Sequence, residues 1–570
     1  MSEKMTGKII GIDLGTATTE AAVYEKGAVR LLKNPEGNIV TPSVVGVDER
    51  GNEVIGERAK AQYILTPERT AIEVKRQIGT DAKIRLGRLE YTPVELSAML
   101  LRYVKRYASE ALEESVTRAV ISVPAYFDDW QRRAVVEAGK QAGFSVERIL
   151  NEPTAAALSY GIEHLDEESY ILVYDLGGGT FDVTLLEMFG GVLEVKASAG
   201  DNALGGKDFD EVLIRHLCGR FEEKYGFSLK GNLQAQARLK EQAEKCKIAL
   251  SREESVEVRI PLLAEREGIP LGLEETVSRE DFEAWTAELL ERTHKPLLRV
   301  LKDAGITAKN LDHVLLAGGS TRMPMVARDI EEVLGMAPEA AIDPDFCVVK
   351  GTAIQAGILA GEVEEENELV MTDVCPYTLG IRATEGFNDD IMSVLIPRNT
   401  TIPVSRKQRY ATNGDFQTKA TIAVYQGEER LVTRNHFLGN FDVQGIPPRL
   451  ANEEKIDVTF SYNLNGILGV RATVVSTGAE AEIEINMMEA GKPQERMDVS
   501  GWKQCEGASD YRSVIRRAER FLAKAGAGTE SLRGELEKSV YQLKAAIIQG
   551  DFEEADDLEE EIEMLLERED

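Results

Sequence analysis

Short apolar runs alternate with longer stretches of helical period over residues 1–361. Runs such as KIIGID and ILVYDL are short and rich in branched side chains, as strands buried on both faces are. The segments between the runs repeat apolar side chains every three or four positions, which is the period of a helix with one buried face. Strands that alternate with helices predict an α/β domain.

The pattern changes to short alternating runs over residues 375–488. TIAVYQ, KIDVTFSY and LGVRATVV place apolar side chains at alternate positions, which is the period of a strand with one buried face. Asn465-Gly466 stands between the last two runs, and this dipeptide favours a tight hairpin turn. We therefore expect an antiparallel β domain here.

Residues 489–570 return to a helical period. Three apolar stripes predict a short three-helix bundle, with the glycine-containing gap at residues 525–529 between the first two helices. The stripes are Tyr511, Val514, Ile515, Ala518, Phe521 and Leu522; Leu532, Leu536, Val540, Leu543 and Ile547; and Leu558, Ile562, Leu565 and Leu566.

Residues 362–374 separate the α/β domain from the β domain. Five of the seven residues 362–368 are glutamate, and the apolar Leu369-Val370-Met371 follows them. Charge followed by a short apolar run, without a period, indicates a linker that can dock on a neighbouring surface. A solvated loop fits the same local pattern, and both interpretations stay open at this point.

Composition and charge limit the number of domains that we expect and the kinds of partner that the protein binds. A chain of 570 residues exceeds what one hydrophobic core serves, so roughly two to four domains are expected. The net charge is −31, with 98 acidic and 67 basic residues, which argues against a broad nucleic-acid surface. The five cysteines include no CxxC pair, and no apolar run approaches the ~18 residues of a membrane span. We expect a cytoplasmic protein that binds neither nucleic acid nor membrane.

A strand–turn–strand pattern occurs twice, as KIIGIDLGTATTEAAVY at residues 8–24 and ILVYDLGGGTFDVTLLE at residues 171–187. Asp13 and Asp175 occupy equivalent positions, 162 residues apart. Two such units predict a duplicated fold in which two turns face each other.

The residue types in the two turns suit a polyphosphate and its cation. Glycine lets the backbone approach the phosphates and leaves N–H groups free to point at the anion. Threonine hydroxyls add donors, and aspartates at strand ends can hold the waters of an octahedral Mg²⁺. A flexible turn is the alternative for either copy alone, but the paired occurrence argues against it.

Two other phosphate-binding motifs fail. In the run GDNALGGKD, Asp201 stands where a P-loop needs its first glycine, and Asp208 follows the lysine. The dinucleotide motif GxGxxG fails because Asp182 occupies its last glycine position.

A set of motifs carries a family resemblance. GIDLGTATT, VPAYFDDWQR, NEPTAAALSYG, YDLGGGTFD, GDNALGGKDFD and AGGSTRMPMV resemble, in content and order, the ATPase domain of DnaK-type, 70-kilodalton heat-shock chaperones. TDVCPYTLG, RNTTIPVSR and YQGE resemble the peptide-binding β domain of that family, and TDVCPYTLG with the short total length resembles its HscC-like branch. The resemblance implies an actin-like ATPase domain of two lobes (1–361), a linker (362–374), a β-sandwich for peptides (375–488) and a short helical lid (489–570).

The resemblance implies roles at the phosphates. Lys75 would stabilise the charge that develops at the γ-phosphate, Glu152 would lie near the attacking water, and Thr180 would stand at the γ-phosphate. A Mg²⁺ ion, with K⁺ as a second cation, would be surrounded mostly through water by Asp13, Asp175 and Asp182. Further contacts to ATP or ADP would come from Gly15, Thr16, Gly177, Gly178, Gly179, Gly205 and Gly206.

The adenosine end departs from the family pattern. The family usually places an arginine, which stacks on adenine, directly after the lysine of EKCKIALS, and this chain has Ile248 there. Isoleucine packs against a base without cation–π attraction, which predicts weaker ADP binding or faster exchange. The implied adenosine contacts are Glu244, Lys247, Ser251, Gly318, Gly319, Ser320, Arg322 and Asp345.

The resemblance also implies a peptide groove and a coupling route. An extended peptide would bond to the β domain through its backbone and place one aliphatic side chain in a pocket. For Leu379 and Ile422, a place in the domain core is the alternative. The groove would involve Tyr377, Leu379, Ile381, Tyr410, Asn413, Ala420 and Ile422. The route that couples peptide to nucleotide would involve Pro124, Arg132, Leu369, Val370, Met371 and Asp373.

The implied activity is that of an ATP-hydrolysing chaperone that alternates between fast and slow peptide exchange. Its implied partners are unfolded or extended polypeptides, a J-domain co-chaperone and a nucleotide exchange factor. The alternative is a nucleotide-binding co-chaperone or exchange factor with weak hydrolysis, against which Lys75, Thr180 and Asp182 argue. An actin-like sugar kinase is a third class, and the appended linker and β domain argue against it.

Overall fold

The computed structural model divides into two compact units, residues 1–490 and 491–570. The first unit contains two α/β lobes and a β-sandwich, and the second is helical, which confirms the predicted fold class. The described residues are 7–164, 167–339, 341–363, 370–375, 377–385, 388–462, 467–486, 502, 507–524, 536, 539–540, 543–544, 547 and 552–567.

A six-stranded mixed sheet forms the first lobe. Its central strand, Ile9–Leu14, is parallel to Arg118–Val123 and antiparallel to Thr18–Glu25. Gly11 in this strand faces the helix Cys347–Ala360 so closely that a Cβ would lie 2.3 Å from a backbone nitrogen of the helix. The strand order is Ser145–Asn151, Arg118–Val123, Ile9–Leu14, Thr18–Glu25 and Ala28–Leu31, with Thr41–Pro42 also paired to Thr18–Glu25.

A second six-stranded sheet forms the other lobe and extends beyond it. Val370–Val374 pairs in parallel with Val192–Asp201, and Thr401–Ile402 pairs with Val370–Val374. The C-terminal part of the predicted linker is therefore a strand of the second-lobe sheet, and its residue 369 lies outside the described residues. The strand order is His313–Ala317, Ser169–Leu176, Phe181–Phe189, Val192–Asp201, Val370–Val374 and Thr401–Ile402.

Helices cover both sheets. The longest of the first lobe, Pro93–Leu112, begins at a capping box made by Thr92 and Glu95 and buries one apolar face. The α-helices of the two lobes are Glu57–Leu65, Pro93–Leu112, Asp129–Gln141, Glu152–Gly161, Gly206–Tyr225, Leu233–Leu250, Arg279–Asp303, Pro324–Leu334 and Cys347–Ala360. Short 3₁₀ helices are Pro67–Arg69, Val74–Gln77, Ala308–Asn310 and Gly319–Arg322.

Three smaller sheets also belong to the lobes. They are the three strands Glu53–Ile55, Val45–Val47 and Thr70–Ala71, the pair Ile84–Leu86 and Leu89–Tyr91, and the long pair Ser255–Arg266 and Ile269–Ser278.

Two four-stranded antiparallel sheets form the β-sandwich around one core. The predicted run KIDVTFSY coincides with the strand Lys455–Tyr462. The predicted turn Asn465-Gly466 lies outside the described residues, although the two strands beside it pair as a hairpin requires. The sheet orders are Asn388–Ile396, Leu379–Glu385, Lys419–Gln426 and His436–Gln444; and Val404–Ala411, Lys455–Tyr462, Ile467–Val474 and Glu480–Asn486. A 3₁₀ helix, Val432–Arg434, precedes the fourth strand of the first sheet.

The second unit contains the helices Ala508–Lys524 and Phe552–Glu567, and residues 536, 539–540, 543–544 and 547 between them are also helical. Leu536, Val540, Leu543 and Ile547 are buried with the stripes of the other two helices in one core. The gap predicted at residues 525–529 lies outside the described residues. Among the helices that the structure describes, none is long and apolar enough to cross a membrane.

Candidate functional site

The two predicted turns face each other across the cleft between the lobes. A Cβ on Gly178 would lie 2.9 Å from the Cβ of Ala17, and a Cβ on Gly179 would lie 2.7 Å from the side chain of Thr16. Real Cβ atoms do not approach other atoms this closely, so only glycine allows the second turn to lie against the first. The turns thus leave a backbone-lined space suited to an anion.

A cleft of about 1930 Å³, open to solvent, passes these turns. Of the predicted catalytic and nucleotide residues, only Asp182, Gly179 and Gly205 do not line it. Those that line it are Asp13, Gly15, Thr16, Lys75, Glu152, Asp175, Gly177, Gly178, Thr180, Gly206, Glu244, Lys247, Ser251, Gly318, Gly319, Ser320, Arg322 and Asp345.

Three buried aspartates lie at the ends of the central strands. Ser122 donates a 2.7 Å hydrogen bond to Asp13, and the backbone N–H of Tyr126 donates a 3.0 Å bond to Asp182. Burial, together with the negative charge of Glu152, raises the pKa of Asp13 to about 6 and the pKa of Asp182 to about 7. The same causes raise the pKa of Asp175 well above its ordinary value. A bound cation would stabilise the charged forms of these buried carboxylates.

The donor set fits a hydrated Mg²⁺ held between carboxylates and phosphates. The Oδ2 atom of Asp182 is buried and has no hydrogen-bond partner among the described residues. No three His, Cys, Asp or Glu side chains in the described part of the chain converge closely enough to ligate a metal directly. Asp13, Asp175 and Asp182 would therefore hold the ion mainly through its waters, as Mg²⁺ prefers.

Lys75 forms a buried ion pair with Glu152. Its Nζ atom lies 2.5 Å from Oε1 of Glu152, and the two side chains are 6% and 11% exposed. Lys75 comes from the 3₁₀ helix Val74–Gln77 of the first lobe, and Glu152 begins the helix Glu152–Gly161. The pair presents one ammonium group to the cleft, which the carboxylates of Asp13 and Asp175 also line.

The predicted adenosine residues form ion pairs of their own. Arg322 donates bonds of 2.9 and 2.6 Å to Asp345, and the Nζ of Lys247 lies 2.8 Å from Asp210. Ile248 lines the cleft and is 56% exposed. An uncharged, apolar side chain thus lines the cleft at the position where the family usually has arginine.

Glu244 connects the two lobes. Its carboxylate lies 2.9 Å from the Nζ of Lys60 in the first lobe and 3.5 Å from the Nζ of Lys207 in the second. Burial alone would raise the pKa of Glu244, but these two ammonium groups lower it to about 2.

The sequence reasoning missed Glu20, although a signal for it was present. Asp13 pairs with Glu20 across the first hairpin, as Asp175 pairs with Asp182 across the second. Both partners follow their aspartate by seven positions. Glu20 is 3% exposed, and burial next to Asp13 raises its pKa well above the ordinary value. It adds a further carboxylate to the cleft.

Arg76 was also missed. It follows Lys75 in the chain and donates bonds of 3.2 and 3.0 Å to the carbonyl of Gly179, and it pairs with Asp208. Arg76 thereby joins the first lobe to the second turn. No local pattern distinguishes it from a surface arginine.

Hydrogen bonds connect Arg132 to the strand Val370–Val374, which contains the C-terminal part of the predicted linker. Arg132 donates to the carbonyls of Ala125 and Phe127 and a 2.8 Å bond to Oδ1 of Asn151. The Nδ2 of Asn151 donates a 2.8 Å bond to Asp373. The structure therefore joins Arg132 to Asp373 through Asn151, and both are residues of the implied coupling route.

Tyr126 contacts both the aspartate cluster and the β domain. Its carbonyl accepts a 2.7 Å bond from the hydroxyl of Tyr377, 251 residues away, and the two rings lie 5.1 Å apart. Its N–H is the group that donates to Asp182. Tyr126 is thus one hydrogen bond away from the aspartate cluster and one hydrogen bond away from the β-sandwich.

The predicted groove residues divide into three environments. Leu379, Ile381 and Ile422 are buried in the sandwich core, and Tyr410 and Ala420 are partly buried against it. Asn413 is exposed and donates a 3.3 Å bond to Thr384, whereas Tyr377 faces Tyr126. Peptide contact at these seven positions stays a prediction.

A family model described as Hsp70 protein matches residues 9–85 and 80–569. The matches span nearly the whole chain, both lobes and the β-sandwich included. The chain therefore belongs to the Hsp70 family, whose members are ATP-dependent chaperones that hydrolyse ATP with Mg²⁺ and bind polypeptide clients.

Proposed function

We propose that this protein binds extended polypeptide segments in its β-sandwich and that ATP hydrolysis in the cleft controls how fast it releases them. The observation that carries this proposal is the double contact of Tyr126, to Asp182 of the buried aspartate cluster and to Tyr377 in the β domain. A change at the phosphates that moves Asp182 must act on the same residue that holds the β domain. This is the physical requirement for reciprocal coupling between two sites.

The attachment of the linker strand supports the proposal. Val370–Val374 adds to the second-lobe sheet, and Asp373 accepts a bond from Asn151. A separate contact joins Arg398 of the β domain to Asp303 at 2.9 Å. The β domain can leave the lobes only when these bonds break together, so the interface has the character of a two-state element.

In the cleft, the chain's own groups would position the reacting phosphate. The glycine turns direct backbone N–H groups at the anion, and Lys75 would place its charge where negative charge develops. Glu152 orients Lys75 and would face the attacking water. Bound Mg²⁺ supplies charge neutralisation of the phosphates.

Clients, a J-domain co-chaperone and an exchange factor are the partners that we propose. The described cysteines, Cys218, Cys246, Cys347 and Cys375, are free thiols. The cytoplasmic location stays a prediction.

A peptide-release experiment tests the function. A fluorescent, unstructured peptide with a central run of leucine is bound to the full-length protein, and its release is followed after addition of ATP or ADP with Mg²⁺. We expect ATP to accelerate release at least tenfold over ADP. Equal release rates with the two nucleotides would refute the coupling, and absence of peptide binding would refute the chaperone assignment of the β domain.

Tyr377→Phe is expected to weaken this coupling. The variant keeps the ring contact with Tyr126 and removes a hydrogen bond, which contributes about 1 kcal/mol. The acceleration of peptide release by ATP should fall about fivefold, whereas peptide affinity without nucleotide should stay unchanged. Tyr225→Phe is the matched control, because its hydroxyl donates a 2.8 Å bond to the carbonyl of Gly272 within one lobe. An unchanged acceleration in Tyr377→Phe would remove Tyr126 from the coupling route.

Nucleotide binding is expected to release protons below about pH 7. Since the pKa values of Asp13 and Asp182 are raised to about 6 and 7, the cation-free folded protein holds protons there that the unfolded chain loses near pH 4. Their contribution to stability is therefore present at low pH and is lost as the pH rises through 6 to 7. Bound Mg²⁺ needs the charged forms, so the affinity for Mg²⁺ and ADP should fall as the pH falls from about 8 to about 5.5.

Calorimetry in buffers of different ionisation enthalpy measures this release. Asp182→Asn removes one titrating group and should reduce the number of protons released. Binding heats that do not depend on the buffer at about pH 6 would contradict the raised pKa values.

A further inference from the structure

Lys207 belongs to the run GDNALGGKD, which fails as a P-loop. It is the second residue of the helix Gly206–Tyr225, and its backbone N–H donates a 2.9 Å bond to the carbonyl of Gly178 in the second phosphate turn. The preceding N–H, of Gly206, donates to the carbonyl of Gly177. A 20-residue helix thus begins directly against the turn, and its N-terminal partial charge favours an anion there.

The side chain of Lys207 lines the nucleotide cleft together with Thr16 and Gly178. It is 13% exposed, so its ammonium group is largely shielded from bulk water. Its carboxylate neighbours are Glu244 at 3.5 Å and Asp210 at 3.8 Å. Both distances are longer than a normal hydrogen bond, so these are ion pairs without a short bond.

Both carboxylates have closer cations of their own. Glu244 lies 2.9 Å from Lys60, and Asp210 lies 2.8 Å from Lys247. If Lys207 moved away, neither carboxylate would be left without a positive partner. The usual penalty for separating a buried ion pair is therefore reduced for Lys207.

The adenine contact is weak in this chain, which favours an additional contact at the phosphate end of the nucleotide. Ile248 is 56% exposed and supplies no charge, so the base contributes less attraction than an arginine would provide. A lysine beside the phosphates would offset this lost attraction to the base. It would do so for ADP and ATP but not for adenosine, which has no phosphate.

We propose that Lys207 is a further phosphate-binding residue of this site. When a nucleoside di- or triphosphate enters, its ammonium group leaves Glu244 and Asp210 and binds a phosphate oxygen. The proposal rests on nucleotide binding in the cleft. It adds that the ammonium group of Lys207 makes the site bind nucleotides more tightly than nucleosides.

Calorimetric titration of the full-length protein with adenosine, ADP and ATP, each with Mg²⁺, tests the proposal. In Lys207→Met, the affinity for ADP and ATP should fall at least tenfold, whereas the affinity for adenosine should change less than about twofold. Lys207→Arg should restore ADP binding to within about threefold of the parent. Lys240→Met is the matched control, because Lys240 pairs with Glu73 at 2.5 Å and does not line the nucleotide cleft.

The outcomes are distinguishable. Equal losses for adenosine and ADP in Lys207→Met would show that Lys207 only supports the wall of the cleft, and unchanged ADP affinity would show that it stays with its carboxylates. Either result overturns the proposal. Thermal unfolding of each variant shows whether the fold is kept, and Lys207→Arg remains informative if Lys207→Met does not fold. A parent protein that does not bind ADP would overturn the nucleotide site itself.

Discussion

Lys75→Met is expected to lower single-turnover ATP hydrolysis by about 100-fold or more while ADP affinity changes only a few-fold. Lys75 is the ammonium group that the buried pair with Glu152 presents to the cleft, and a group of this kind acts mainly on charge that develops in the transition state. Rapid-mixing and quench measurements at saturating ATP give the hydrolysis rate without product release.

Stability must be separated from chemistry in this variant. Removal of Lys75 leaves Glu152 buried without its partner, which costs about 3–5 kcal/mol. The double variant Lys75→Met/Glu152→Gln removes that charge and should recover most of the stability without recovering hydrolysis. Lys240→Met removes the lysine of a different ion pair and should hydrolyse ATP normally. Normal hydrolysis in Lys75→Met would show that Lys75 has no catalytic role.

Gly205→Ala is expected to weaken nucleotide binding and to slow hydrolysis. A Cβ at position 205 would lie 2.5 Å from the nitrogen and 2.6 Å from the Cα of Gly179, so the helix that begins at Gly206 and the phosphate turn must separate. A displacement of about 1 Å at such a site can cost about 100-fold in rate. We expect ADP affinity to fall at least tenfold and hydrolysis about 100-fold, measured by calorimetry and single-turnover kinetics.

The same helix offers a control for this substitution. A Cβ on Gly219 would meet no atom within 4 Å, and its backbone is helical. Gly219→Ala should leave nucleotide binding unchanged and raise stability by about 0.5–1 kcal/mol. If Gly205→Ala bound ADP as tightly as Gly219→Ala does, the close contact between helix and turn would not matter for function.

The spacing of apolar side chains along the chain predicted secondary-structure elements that the structure contains. The strand Lys455–Tyr462 coincides with its predicted run, and the paired turns that contain Asp13 and Asp175 face each other as the duplication implied. Strand and helix periods follow from backbone geometry over a few residues, so the pattern of apolar side chains reveals them.

The residue pairs that join one lobe to the other, or a lobe to the β domain, could not be predicted from the sequence. Tyr377 was assigned to the peptide groove by resemblance, and the structure places its hydroxyl on the carbonyl of Tyr126. The spacing of 251 residues between them carries no pattern, because packing of whole domains sets this contact. For the same reason, the ion pairs of Glu244 with Lys60 and Lys207 could not be inferred from the sequence.

The amino-acid sequence by itself determined the two glycine turns, their aspartates and the order of the domains, because these depend on residue type and short spacing. It also contained Glu20, seven positions after Asp13, as Asp182 follows Asp175. Only the tertiary structure decided which charges meet in the cleft and that a linker segment becomes a sheet strand. Those outcomes depend on how the lobes and the β-sandwich pack, since a charge or an edge strand takes its partner from whatever surface the fold brings to it.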